Sequence, residues 1–154
     1  MSEPIIEQIA EHIKTTVAGV TVGAGYHQTL NPIRPRRSDY ADVSPADGNV
    51  LIWQENDSPA DAAALTTTQF AQEFMLICVV LDSDSETDSI DTRINRVKSD
   101  LRKALMADPT RGGLAIDTVI GASQKIDDGE GMSGIAVTVI VTYRTDLTDP
   151  YTQI

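Results

Sequence analysis

Asp82, Asp84, Glu86 and Asp88 place a carboxylate at every second position of one short segment, a pattern that can offer several hard oxygen ligands to a calcium ion. The remainder of a calcium loop does not follow. Counting Asp82 as its first position, Thr87 stands where the turn glycine is needed and Arg93 stands where a bidentate glutamate is needed. The acids are better read as the solvated start of a helix, where the positive end of the dipole favours negative charge. No metal site is expected.

Other short patterns fail for comparable reasons. Gly23-Ala24-Gly25 resembles the opening of a dinucleotide-binding loop, but Gln28 replaces the third glycine and a proline-rich segment follows where a helix should begin. Gly131-Met132-Ser133-Gly134 is one residue short of a nucleophile elbow and falls in a hairpin turn, not at a strand-to-helix corner. His12 and His27 have no second histidine or cysteine at metal-ligand spacing and are read as boundary residues. Cys78 lies inside an apolar run without a local base or cation to activate it, so it is expected to be an inert buried thiol. No catalytic residue and no cofactor is expected, and the chain is not read as an enzyme.

Arg34, Arg36 and Arg37 form the one dense basic cluster, around Pro35 and ahead of Tyr40. Three arginines on an extended segment could touch nucleic acid or form an ion-paired arm. The charge of the segment favours a third reading, in which the arm reaches the acidic stretch Asp82–Asp91 of a neighbouring copy. The chain as a whole has 23 acids against 12 bases, a net charge of −11. That balance argues against tight binding to phosphate backbones and favours solubility.

These residues must be positioned by a domain of 154 residues with 41% hydrophobic content, enough for one core. A single cysteine excludes an internal disulfide. The opening Ser2-Glu3-Pro4 lacks the basic-then-apolar pattern of a secretory signal, and the longest apolar run is too short to span a bilayer. A soluble, intracellularly made protein without membrane contact is expected.

Ile6, Ile9, Ile13 and Val17 recur at helical spacing, with Ser2 as a candidate N-cap and an end by Gly19. Val20–Tyr26 reads as a short, glycine-weakened strand. Thr29–Gly48, with Pro32, Pro35 and Pro45, reads as an extended arm. Val50–Trp53 is a short strand, followed by a polar loop over 54–66.

Thr67–Leu81 is a long strand with Phe70, Phe74, Leu76, Cys78 and Val80 on one face. Its second half is apolar on both faces and is expected to be covered on both. Ile90, Ile94, Val97, Leu101 and Leu105 define the strongest helix, with Asp84, Ser85 or Thr87 as candidate caps and Asp108-Pro109 and Gly112-Gly113 as its stop. A strand over Leu114–Ile120 then turns through Asp127–Gly131 into the strict alternation Ile135, Val137, Val139, Val141, Tyr143. The expected fold is α+β: a single domain (residues 1–154), with a mostly antiparallel sheet, two main helices on one face, and long loops or arms.

The N-terminal helix, the Asn31–Arg37 segment, the long Phe70–Leu81 strand and the Ile90–Leu105 helix with its Asp108-Pro109 and Gly112-Gly113 ending are joined by a final strand. That strand carries Tyr143-Arg144-Thr145 and leads to Asp149-Pro150-Tyr151. Together they resemble the tail-terminator (tail-completion) proteins of long-tailed bacteriophages, in order and ending across nearly the whole chain. The resemblance implies a structural virion protein, assembled in the host cytoplasm, that forms a homohexameric ring at the head-proximal end of the tail. Such a ring caps the completed tube, ends its polymerisation and joins the head-side connector or stopper, while DNA passes through the bore without specific binding.

On this reading Arg34, Arg36, Arg37, Asp82, Asp84, Glu86, Asp88 and Tyr151 are candidate subunit-interface residues. Asp127, Asp128 and Glu130 are candidate lumen acids, since an acidic bore repels phosphate. The rival expectations are another phage head–tail joining or neck connector protein and, more distantly, a small-molecule or protein-binding α+β module.

Overall fold

The computed structural model describes residues 2–35, 46–60, 65–81, 87–127 and 132–154. Helix α1 (Ile5–Ala18) is followed by a 3₁₀ turn (Val22–Ala24) and strands β1 (Asn31–Ile33), β2 (Asn49–Ala60) and β3 (Thr67–Leu81). Helix α2 (Ile90–Met106) and strands β4 (Asp117–Asp127) and β5 (Met132–Asp146) complete the chain. The five strands make one sheet in the order β1-β2-β3-β5-β4. All neighbours are antiparallel except β1 and β2, which run parallel. The α+β expectation holds.

The period-2 patterns decide which side of the sheet is the core. Val50 and Ile52 of β2, Phe74, Leu76, Cys78 and Val80 of β3, and Ile135, Val137, Val139, Val141 and Tyr143 of β5 are all buried on one face. Cross-strand registers Val50↔Cys78↔Ile135 and Ile52↔Leu76↔Val137 align them in rows. Against these rows pack Ile5, Ile9, Ile13 and Val17 of α1 and Ile94, Val97, Leu101 and Leu105 of α2, which their i, i+3/i+4 spacing gathers on one side of each helix. The other face of β3, with Met75, Ile77, Val79 and Leu81, is half-buried. The covering expected on both faces is thus complete only on the helical one.

Gly134 shows how tightly the central strands approach. A Cβ there would lie 2.2 Å from the Cys78 carbonyl oxygen, so only glycine lets β5 pass β3 at this point. Gly48 combines φ +87° with a Cβ position 2.7 Å from the Thr29 carbonyl oxygen, and it brings the chain into β2 beside β1.

Several sequence expectations are corrected. The polar stretch expected as a loop over 54–66 is strand through Ala60. Paired residues Asp57–Ala60 meet Gln72–Gln69 after an irregularity between Gln54 and Asp57. Cross-strand hydrogen bonding here outweighs a composition that reads as loop. The expected strand after α1 is the 3₁₀ turn, closed by the Thr21 hydroxyl accepting from Ala24 N–H at 3.1 Å and by Gly25 at φ 94°. The Thr29–Gly48 arm contains β1, while its residues 36–45 lie outside the described residues.

Pro4, not Ser2, precedes α1, and no side chain caps it; instead the Pro150 carbonyl accepts the Ile5 N–H at 3.2 Å. Helix α2 is capped by Ser89, whose hydroxyl accepts from Thr92 N–H at 3.2 Å, rather than by Asp84, Ser85 or Thr87. Strand β4 starts at Asp117, with Thr118 and Ile120 toward the core and Val119 outward, while ahead of the strand Ala115 is buried and Ile116 exposed.

Phe74 is fully buried at the centre of the core. Phe74→Ala is expected to cost about 3–5 kcal/mol, read as a lowered urea midpoint at unchanged slope.

Candidate functional site

The structure shows where each charged candidate residue lies. Arg34 follows directly on β1 and turns back onto α1. Its Nη1 donates to Glu7 Oε1 at 2.6 Å and Glu11 Oε1 at 2.5 Å, and its Nη2 donates to Glu7 Oε2 at 3.0 Å. Glu7 and Glu11 are one helical turn apart, so a single guanidinium clasps both. The Arg34 hydrogen bond holds the Glu7 carboxyl below its ordinary range, and Glu7 in turn raises Arg34. Arg34 is therefore engaged with two carboxylates of its own chain. Arg36 and Arg37 lie outside the described residues.

Of the acidic series, Asp82, Asp84 and Glu86 lie outside the described residues. Asp88 precedes α2 and accepts from Arg96 Nη1 at 2.7 Å, so it too is paired internally. Tyr151 is exposed, and its backbone N–H donates to Asp149 Oδ1 at 3.1 Å. The tail around it folds back on its own subunit through Asp146 N–H to Thr152 O at 3.0 Å and the Thr145–Gln153 bridge. Tyr151 remains available as a surface residue. Asp127 ends β4 in register with Ser133, at an exposed sheet corner, while Asp128 and Glu130 lie outside the described residues.

Other polar anchors were not singled out from sequence. Arg93 on α2 is nearly buried; its Nη1 donates to Leu81 O at 2.5 Å and its Nη2 to both Asp47 oxygens at 3.0 and 3.2 Å. Asp47 also accepts the Leu81 N–H at 3.0 Å, so one ion pair ties α2, the end of β3 and the turn before β2. Buried Asp100 accepts from the His27 N–H at 2.9 Å and lies 3.1 Å from His27 Nδ1, fixing the segment after the 3₁₀ turn. Arg111, at φ 51°, is fully buried and donates to the Leu105 and Asp108 carbonyls at the end of α2. A sequence signal exists for Arg93 alone: it is a cation just after the acidic stretch, one residue before the apolar stripe position Ile94.

None of these groups forms a catalytic arrangement. Burial pushes the Cys78 thiol up to about 12, so it is not a nucleophile near neutrality. His12 is lowered by burial and by the charge of Arg111, with Asp108 3.7 Å away opposing them. Among the described residues no group of three His, Cys, Asp or Glu side chains is placed to hold a metal ion. No described helix is long and apolar enough to cross a membrane.

Among the surface grooves is one of about 290 Å³ around the Arg93–Asp47 pair, lined also by His27 and Arg96, and two more lie toward the two sides of the sheet. One, of about 430 Å³, runs between α1 and β2 and is lined by the Arg34 clasp, Ile52 and Trp53. The other, of about 490 Å³, lies between α2 and β4, walled by Lys98, Arg102 and Met106 on the helix and Asp117–Gly121 on the strand. No protein-family model matches the chain, and no curated protein matches it either.

The Arg34 clasp makes a pH prediction. Glu7 has a folded pKa below its ordinary 4.5, so the stabilisation it contributes is complete above the unfolded value and disappears as pH falls through the folded one. Urea unfolding should show Arg34→Met less stable by at most about 1 kcal/mol above about pH 5, with the difference shrinking in more acid solution. A difference that grows on acidification would contradict the assignment.

Proposed function

We propose that the chain is a tail terminator of a long-tailed bacteriophage: a structural subunit that closes into a ring on the finished tail tube and presents the joint to the head-side connector. What supports this reading is an α+β subunit with helix, short strands, long strand, helix and hairpin in that order, whose single sheet has β4 at one end and, among the described residues, no strand outside Glu55–Ala60 toward the other. Both helices occupy one face, so lateral association is left to the edges and to the helix-free face. The net charge of −11 supports a bore through which DNA passes without binding.

Arg34 and Asp88 are satisfied internally. Among the described interface candidates, Tyr151 retains an exposed side chain without such a pairing. Among the described lumen candidates, Asp127 stands at the β4 corner.

The test is genetic and visual. Infection by a phage in which this reading frame is interrupted should yield tails of uncontrolled length in electron micrographs, and supplying the protein in trans should restore a single length. Tails of normal length that fail only to join heads would reassign the protein to the connector side of the neck.

A further inference from the structure

We propose that copies of this chain join through opposite edges of the sheet. The first half of β4, with Lys98 and Arg102 of α2 above it, receives the acidic outer edge of β2 from the next copy. This deepens the ring reading and rests on it.

Strand β4 ends the strand order on one side. On the other side β1 covers β2 only from Asn49 to Leu51, so Glu55–Ala60 has no strand outside it among the described residues. The two uncovered stretches lie at one height. The register Thr118↔Val141↔Gln72↔Asp57 sets them on one line across the sheet, and Asp117↔Thr142↔Ala71↔Ser58 sets the next. Since β2, β3, β5 and β4 alternate in direction, β4 runs opposite to β2. A neighbour placed side by side in the same orientation therefore meets β4 antiparallel with its β2, the more stable pairing.

The two halves of β4 are not equivalent. Its second half is blunted by a register shift between Ile120 and Ser123 and by Lys125, devices that keep an edge from pairing. The first half has neither. Along this edge Ile116 is 42% exposed, Val119 49% and Met106 40%, and Met106 and Val119 border the 490 Å³ groove.

Charge selects the occupant. Lys98 and Arg102 are exposed and have no ion-pair partner among the described residues, while Asp117 turns its carboxylate to the Thr118 N–H at 2.9 Å. Glu55 and Asp57 on β2 likewise have no ion-pair partner among the described residues. A chain of net charge −11 repels its copies in most orientations, and this one sets cations against acids. The contact is head-to-tail, the type that closes a ring when its rotation allows.

Charge reversal tests it. Lys98→Glu/Arg102→Glu, Glu55→Lys/Asp57→Lys and the chain carrying all four changes are compared with wild type by sedimentation velocity over a concentration series at low salt, with circular dichroism as a check on folding. Each double variant alone should associate about 100-fold more weakly than wild type, because like charges then face each other. Mixing the two double variants, or combining the four changes in one chain, restores opposite charges at each contact and should restore the oligomer. Wild-type rings unaffected by either reversal would overturn this surface and leave the ring reading standing. Failure of the mixture and of the folded four-change chain to reassemble would also overturn the pairing. A wild type that stays monomeric throughout would overturn this self-pairing, leaving the β4 edge to a strand from another protein, while the ring reading is decided separately by tail length in the interrupted-frame phage.

Discussion

Everything in this molecule is built on the antiparallel pairing of β3 with β5, which runs in register from Thr67↔Asp146 to Leu81↔Met132 without interruption. The pairing joins the two most strongly alternating segments of the chain and sets their buried rows, Phe74 with Val139 and Leu76 with Val137, beneath the helices. Gly134 permits the close approach at Cys78. Once these central strands are fixed, β2 and β4 add on either side, and each carries a register shift that the continuous centre does not.

The helices and loops are then tied to this sheet by charged groups spent internally. Arg93 with Asp47, Asp100 with His27, and Arg34 with Glu7 and Glu11 each connect segments distant in sequence. Several of these groups are nearly buried, where a charge left without a partner would be costly. The consequence for function is one of place. Among the described residues left without an ion-pair partner are Lys98 and Arg102 beside β4 at one sheet edge and Glu55 and Asp57 on β2 at the other.

The fold was readable where periodicity is long. Ile90–Leu105 and Ile135–Tyr143 reveal both their element and their buried face, because one hydrophobic stripe at period 3.6 or 2 has few alternatives. It was unreadable where hydrogen bonding overrides composition. Gln54–Ala60 is polar and includes Pro59, yet it is held as strand by β3. Of the polar sites, Arg34 stands out in sequence by its charge, but its partners Glu7 and Glu11 do not, since they lie far from it in sequence and become neighbours only when β1 docks beside α1. Asp100 and Arg93 sit on a helix whose stripe is apolar, and their partners His27 and Asp47 come from a region that sequence shows only as irregular.

A sheet with helices on one face and, among the described residues, uncovered strand edges at β4 and along Glu55–Ala60 is a unit suited to lateral repetition, and the ring proposal uses that geometry. The most direct measurement is an electron cryomicroscopy map of the assembled protein at a resolution that separates strands. The account predicts a closed ring in which the sheet continues from copy to copy, β4 lying antiparallel with the neighbour's β2 near Asp57. A ring held together by helices, with both sheet edges open to solvent, would contradict it.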